Sequence, residues 1–351
     1  MFFNSKFKIQ NSKLRESGSI LIITLWILAI LSLLAISFAH HTAVGIKLTE
    51  YHISSLKNLY MCKAGIKRAC YELNKDKAED IEQGYIYDSL NDSWSNNPEA
   101  FKNAGVGDST FTVGYQIEDD NKDMTSVYGM IDEERKININ KLVKNGVQDE
   151  IRLSQVKKFL EILDIDTVIA DYIVDWLDSN SLGDGEEDFY QGLSVPYHCK
   201  NDLIECLEEM YLIRGITAEI FKEIKPYITI YGDGRININT AGKEVFAALG
   251  MDDMLTQQIL NYRSQDGGEE DLYSFKTLES IIPNLNNYQQ LTSEQKQILT
   301  ALIQTGYLTV CSSIFTANVT SVLNNSKLAK RVDVVLQREE DNIKIKYWHE
   351  S

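Results

Sequence analysis

Hydrophobic and polar positions alternate with several different rhythms along this chain. Residues 19–39 read SILIITLWILAILSLLAISFA and carry no charge. At a rise of ~1.5 Å per residue, ~20 such residues span the ~30 Å hydrocarbon core of a bilayer, which predicts a membrane-crossing helix. From His40 to about Asn74 the helical pattern continues. YMCKAGIKRACYEL places Met61, Ile66, Ala69 and Leu73 near one face. No proline precedes Pro98, so nothing interrupts this spine. Residues 75–108 are rich in Asn, Asp, Ser and Gly and read as loop. STFTVGYQIED (109–119) alternates as a half-buried strand does, and TSVYGMID (125–132) reads as its hairpin partner.

Residues 133–290 lose this alternation and take a helical pattern. Strand texture returns in 307–319, 330–338 and 342–350. Two strands before the helical stretch and three after it predict one antiparallel sheet packed on the N-terminal spine. The expected class is α+β, with a large α-helical domain inserted into the sheet domain.

The helical stretch repeats itself. ERKININK (134–141) recurs as GRININTA (234–241), DYIVDWLD (171–178) aligns with QQILNYRS (257–264), and GEEDFY (185–190) with GEEDLY (268–273). The apolar spacing of NDLIECLEEM (201–210) returns in FKTLESI (275–281). Four matches in one order predict two related helical units, the first longer than the second. The second unit resembles a helix-hairpin-helix module: ININTA, then Leu249-Gly250, Ile259, Tyr262-Arg263, Phe275 and Leu278. Such modules often hold a nucleic-acid phosphate on hairpin amides. Here Asp252 and Asp253 stand at that position, which predicts a packing or protein-binding element.

Charge narrows the choice of partner. The chain of 351 residues carries a net −16. Residues 1–18 hold Lys6, Lys8, Lys13 and Arg15 against Glu16, so the remainder carries −19. A body this acidic is repelled by nucleic acid and by anionic lipid head groups. Basic residues before the apolar run and few after it place the N-terminus in the cytoplasm. The five cysteines form no CxxC pair. Cys62 and Cys70 lie ~12 Å apart along a helix and cannot bridge. Cys199 and Cys206 remain a conceivable pair, and the odd total argues against a disulfide framework.

The densest chemistry lies in DYIVDWLDSNSLGDGEEDFY (171–190). Helical spacing predicts Val168, Tyr172, Ile173 and Trp176 inward, with Asp171, Asp175 and Asp178 on the opposite face. A glycine-containing loop then brings Asp184, Glu186, Glu187 and Asp188. So many carboxylates repel one another, and a hard cation such as Ca²⁺, which takes ~6–8 oxygen ligands, would offset that. The spacing is not that of an EF-hand. By composition alone the plainer reading is a solvated acidic helix end and loop. No His, Ser or Lys completes a catalytic dyad, so no catalytic residue is expected.

Two features are similar to a known family. A short basic leader ending in Gly18, with the apolar helix starting at Ser19, resembles the prepilin leader of type IV pilins and type II secretion pseudopilins. The string IVDWLDSN, GEEDFY and YHCKNDLIECLEEMYLIRG within 173–215 resembles the signature of the K-class minor pseudopilin of type II secretion, general secretion pathway protein K. KAGIKRA (63–69), the two ININ copies, and C-terminal strands with Arg338 and Trp348 fit the same family. That family lacks the Glu usual at the fifth mature position, which here is Ile23. In a pilus bundle that carboxylate is thought to pair with the amino terminus of the subunit above. A subunit with none above it would bury an unpaired carboxylate at a cost.

The resemblance implies a prepilin leader (1–18), a transmembrane helix (19–39), a pilin-like spine and first strands (40–132), an inserted helical domain with two helix-hairpin-helix/SAM-like units (133–290), and C-terminal strands completing the pilin sheet (291–351). It implies cleavage between Gly18 and Ser19 by the prepilin peptidase, and a single-pass inner-membrane protein with a periplasmic body. It also implies a non-enzymatic tip position on the pseudopilus, initiating or capping it for export of folded periplasmic proteins, with the I- and J-class minor pseudopilins and the inner-membrane secretion platform as partners. Members bind Ca²⁺ in the inserted domain. By position the ligands here would be Asp175, Asp178, Glu187 and Asp188, with Asn180 and Asn201 behind them, and Glu186 stands as the alternative to Glu187. Asn180 replaces a residue that is commonly acidic. The competing reading is a membrane-anchored helix-hairpin-helix DNA receptor of a competence-type system. The −19 charge and the Asp252-Asp253 hairpin speak against it. A cleaved secretory signal and an ordinary signal anchor are the simpler alternatives for the N-terminus.

Overall fold

The computed structural model describes residues 12–351, apart from 108, 119–123, 181, 266–272, 324–327 and 341, and apart from the side chains of 12–18, 106 and 118. Most of the expected leader, and the GEED copy at 268–271, therefore lie outside the described residues. Helix α1 runs Ser12–Gln83, and the chain divides between Asn58 and Leu59 into two compact units. In the first unit α1 is long and apolar enough to cross a membrane, and Ile20, Ile23, Trp26 and Phe38 are exposed along it.

The second unit contains the rest of α1 and everything after it. Met61, Ile66, Ala69 and Leu73 are all buried, as their spacing predicts, and Cys62 joins them. They meet Phe111, Val113, Phe315, Ala317, Val319, Val332, Val334 and Leu336 from the sheet. Burying one such large apolar side chain contributes ~1.5–3 kcal/mol. Gly65 lets α1 approach closely. A Cβ there would lie 2.6 Å from Val319 Cγ1 and 3.0 Å from Phe111.

The sheet is antiparallel throughout, in the order Ala104–Val106, Ser109–Val113, Ile314–Leu323, Ala329–Arg338, Ile343–Glu350, with the short Ile131–Asp132 also paired to Ile314–Leu323. Val319 pairs with Val113 on one side and Val332 on the other, so the buried alternation of all three strands falls on the α1 face.

Three expectations about this part change. The spine runs nine residues past Asn74, to Gln83. Its last turns look like loop because the residues they bury, Asp76 and Asp80, are polar. The 109–119 stretch is two strands. Ser109–Val113 joins the main sheet, whereas Tyr115–Glu118 pairs with Met124–Val127 in a separate hairpin. The 307–319 stretch is also two pieces, because Leu308–Thr309 belongs to the helical part and the sheet strand begins at Ile314. Helix Ser293–Gln304 precedes both.

The two helical repeats are visible as structure. Each opens with an Ile-Asn strand and closes with a short parallel partner: Ile137–Asn138 with Ile228–Thr229, and Ile236–Asn237 with Leu308–Thr309. In the first, Asn140 Nδ2 donates to the Ile204 and Ile230 carbonyls while its Oδ1 accepts from Ile204 N. In the second, Asn239 Nδ2 donates to the Phe275 and Val310 carbonyls while its Oδ1 accepts from Phe275 N. One asparagine thus ties the opening strand, the middle and the closing strand of each repeat. Helices Glu150–Ile162, Val168–Leu177 and Ala218–Ile224 of the first repeat share one core with Lys243–Ala248, Asp253–Arg263 and Ser293–Gln304 of the second.

Charged groups are buried where the helical part meets the sheet. Arg338 Nη2 donates to both oxygens of Asp88, at 2.6 and 2.5 Å, and Nη1 reaches Asp76 at 3.3 Å. Asp132 accepts from Asn237, Thr240 and Ser312. Burial pushes Asp76 up to about 9, helped by Asp92 and Asp88 and opposed by Arg338. Burial likewise pushes Asp132 up to about 6.

Candidate metal centre

The acidic stretch folds differently from its helical-wheel expectation. In helix Val168–Leu177, Asp175 and Asp178 are buried, at 7% and 4% exposure, and do not face solvent. Asp171 alone keeps a half-exposed position, paired with Lys157 at 2.7 Å. Ile173 and Trp176 are inward as expected, whereas Val168 and Tyr172 are only half-buried, because the buried stripe runs through Ile169 and Ala170. The cause is the loop that follows the helix, which folds back over the aspartates. Gly185 N donates to Asp175 Oδ2 at 2.7 Å. A Cβ on Gly183 would sit 2.3 Å from the same carboxylate, so only glycine lets the chain cross there.

That loop delivers Glu186, which is buried at 5% exposure. Neither of its carboxylate oxygens has a hydrogen-bond partner. Desolvation, then the charges of Asp175 and Asp178, push its carboxyl up to about 7. Burial also raises Asp175 and Asp178 above the usual carboxylate range. Among the described residues, none of the three forms an ion pair.

The remaining expected ligands separate from this group. Asn180 is adjacent, donating its backbone N and its Nδ2 to Asp178 and accepting from Leu182 N. Glu187 is engaged elsewhere. Its Oε2 accepts from Cys199 N at 2.8 Å, and its Oε1 lies 2.6 Å from His198 Nδ1. These bonds, that from Cys199 first, hold its carboxyl below the usual range. Asp188 is exposed. Asn201 is exposed with φ +52° and lines a neighbouring cleft of about 660 Å³ with Asn140, Lys141 and Arg152. The structure therefore brings together Asp175, Asp178, Asn180 and Glu186. The choice between Glu186 and Glu187 was hidden in the sequence because the residues are neighbours. Burial and hydrogen bonding separate them. All five cysteines are free, Cys199 and Cys206 included.

Oxygens of Asp76, Asp88 and Asp92 all fall within 4.8 Å of one another, a convergence that Asp175, Asp178 and Glu186 do not show. The latter three, one with both oxygens unpartnered among the described residues, are still ligands of the kind a hard cation takes. They give no nucleophile–base pair. In the second repeat the counterpart of Glu186 falls within 266–272, outside the described residues. The edge-to-face pair of Trp176 with Tyr190 (5.2 Å, 73°) recurs as Tyr262 with Tyr273 (5.6 Å, 78°). Asn261 and Ser264 take the places of Asp175 and Asp178 in that alignment.

The second repeat's hairpin is closed to phosphate. Asp252 caps helix Asp253–Arg263, accepting from Leu255 N at 2.6 Å and from Gln295 Nε2. A carboxylate already occupies the amides on which an anion would sit.

The family model for type II secretion system (T2SS) protein K matches residues 135–233, which contain the first repeat and its acidic pocket. Over that region the chain is similar to type II secretion system protein K. Two protein K relatives align with it. Type II secretion system protein K of Aeromonas hydrophila is 30% identical over 128 residues, 32% of this chain. A putative type II secretion system protein K of Escherichia coli K12 is 35% identical over 71 residues, 20% of this chain. The alignments span 38% and 21% of those relatives' own lengths. A chain of the GspK-GspI-GspJ complex from the enterotoxigenic Escherichia coli type 2 secretion system matches at TM-score 0.66 and 15% identity. That match covers 86% of this chain and 99% of the other. At this identity the likeness is one of fold: a long N-terminal helix packed on an antiparallel sheet, with a helical insert.

Proposed function

We propose that this chain is a minor pseudopilin of type II secretion, a structural subunit with no enzymatic role, anchored in the inner membrane by residues 19–39. Its N-terminus lies in the cytoplasm and its body in the periplasm, and cleavage falls between Gly18 and Ser19. It joins I- and J-class minor pseudopilins at the pseudopilus tip, which it initiates or caps. The single observation that carries this reading is the coincidence of the protein K match with the acidic repeat of a pilin-type α+β fold. The apolar helix with Ile23 at the fifth mature position supports it. The two repeats are, in this reading, helix-hairpin-helix/SAM-like units used for packing.

A Ca²⁺ ion held by Asp175, Asp178 and Glu186, with Asn180 beside them, belongs to the same proposal. It would neutralise carboxylates that have no ion-pair partner among the described residues, and so fix the loop. Glu187, Asp188 and Asn201 are outside this set.

The test is co-expression of the full chain with prepilin peptidase and the I- and J-class pseudopilins. The expected result is a mature protein beginning at Ser19 that copurifies with both. Cleavage after residue 39, or a mature protein that copurifies with neither, contradicts the proposal.

A further inference from the structure

One side chain touches all three segments that build the acidic pocket. Arg214 lies after the 3-10 turn Leu207–Leu212, distant in sequence from the carboxylates. Its guanidinium stacks on Tyr172 at 4.7 Å, in the helix that carries Asp175. It also lies over the ring of Phe189 at 4.5 Å, in the helix that follows Glu186. Nη1 donates to the carbonyl of Asp184, in the loop itself. The Arg214 backbone N donates to Tyr190 Oη at 3.3 Å, which fixes the root of the side chain beneath the same helix.

A loop of Gly183, Asp184 and Gly185 has little of its own to hold it. Two of its three residues are glycines, which lose the most backbone freedom on ordering. Among described residues its contacts with the pocket are the Gly185–Asp175 bond, the Asp184–Arg214 bond and a long contact of Cys199 Sγ with the Gly185 carbonyl at 4.0 Å. The planar guanidinium suits this place because it can stack on aromatic rings while an N–H donates to a carbonyl, which a compact ammonium group does less well.

We propose that Arg214 is the positioning residue of the acidic pocket, a clamp that holds the 183–186 loop closed over Asp175 and so sets Glu186 against Asp175 and Asp178. The inference rests on the cation reading above only for what the pocket holds, since the clamp acts with or without an ion. A residue that orients ligands without touching the metal is worth about 10- to 100-fold in metal affinity.

The experiment compares the full chain in detergent as wild type, Arg214→Met and Arg214→Lys, with Lys157→Met as a control that breaks an ion pair outside the loop. Amide exchange of the 182–190 segment is read without ion, and Ca²⁺ is then titrated. The clamp predicts faster exchange in Arg214→Met, an intermediate rate in Arg214→Lys and no change in Lys157→Met. It also predicts Ca²⁺ affinity reduced about 10- to 100-fold in Arg214→Met at unchanged stoichiometry. Exchange at the wild-type rate in both Arg214 variants overturns the clamp. Faster exchange in a protein whose wild type takes up no Ca²⁺ upholds the clamp and overturns the cation reading, so the two failures are distinct. If Arg214→Met does not fold, Arg214→Lys alone decides, by the same exchange reading.

Discussion

The two helical repeats share a framework and differ in what they enclose. Each is tied by one asparagine, Asn140 or Asn239, to its middle and closing segments, and each holds an edge-to-face aromatic pair at aligned positions. The first repeat then buries Asp175, Asp178 and Glu186 without a counter-charge. The second has Asn261 and Ser264 at the aligned places, with Asn261 exposed, its Oδ1 accepting from Gln257 and its carbonyl from Ser264 and Gln265. What is common to the repeats is therefore what folding needs, and what differs is what function has added. An unpartnered buried carboxylate destabilises a fold, and an ion in the first repeat would offset that cost.

The largest expected effect tests the shared framework. Asn140→Ala and Asn239→Ala each strand a buried N–H and two carbonyls, which costs about 3 kcal/mol. Denaturant unfolding should show losses of similar size for both. A loss well under 1 kcal/mol at either site would mean the repeats are alike in shape but not in what stabilises them.

The next effect separates the repeats. Ca²⁺ at a hundred times its Kd should stabilise the protein by about 2.7 kcal/mol. Glu186→Gln should remove this response, and Asn261→Ala should leave it intact. A response that survives Glu186→Gln places the ion elsewhere.

A smaller effect is set by pH. The Glu186 carboxyl, raised to about 7 in the ion-free fold, keeps its proton between its ordinary range near 4.5 and about 7, while the unfolded chain has already released it. The folded state therefore binds more protons in that window, and ion-free stability falls as pH rises through it. Glu134, also raised to about 7 by burial, and Asp132 drift in the same direction. The measurable quantity is thus the difference between wild type and Glu186→Gln, which should narrow the slope between pH 5 and 7 without abolishing it. An identical slope in both proteins would remove Glu186 from the account. The smallest effect is Asn261→Ala itself, which should change stability by no more than about 0.5 kcal/mol, as exposed positions do.

Much of this was legible in the sequence, for physical reasons that differ by region. The membrane helix, the Met61–Leu73 face and the C-terminal strands follow from apolar periodicity, because burial there is apolar. The repeat was legible because the Ile-Asn-Ile-Asn framework does the same work twice. The end of α1 was not, because Asp76 and Asp80 are buried polar groups: Asp76 pairs with Arg338, far along the chain, and Asp80 accepts from Tyr87 N in the segment after the helix. The orientation of Asp175 and Asp178 was missed for a related reason. Periodicity reports the face a helix shows to its core, and it is blind to a loop such as Gly183–Gly185 that returns to cover the opposite side. Arg214 gave no signal either, since its contacts are stacking and one backbone carbonyl.

The most direct measurement is amide exchange across the full chain in detergent, with and without Ca²⁺. The account predicts protection confined to the first repeat, centred on 175–190, with the aligned 257–265 helix end unchanged. Equal protection in both repeats, or none in either, would contradict it.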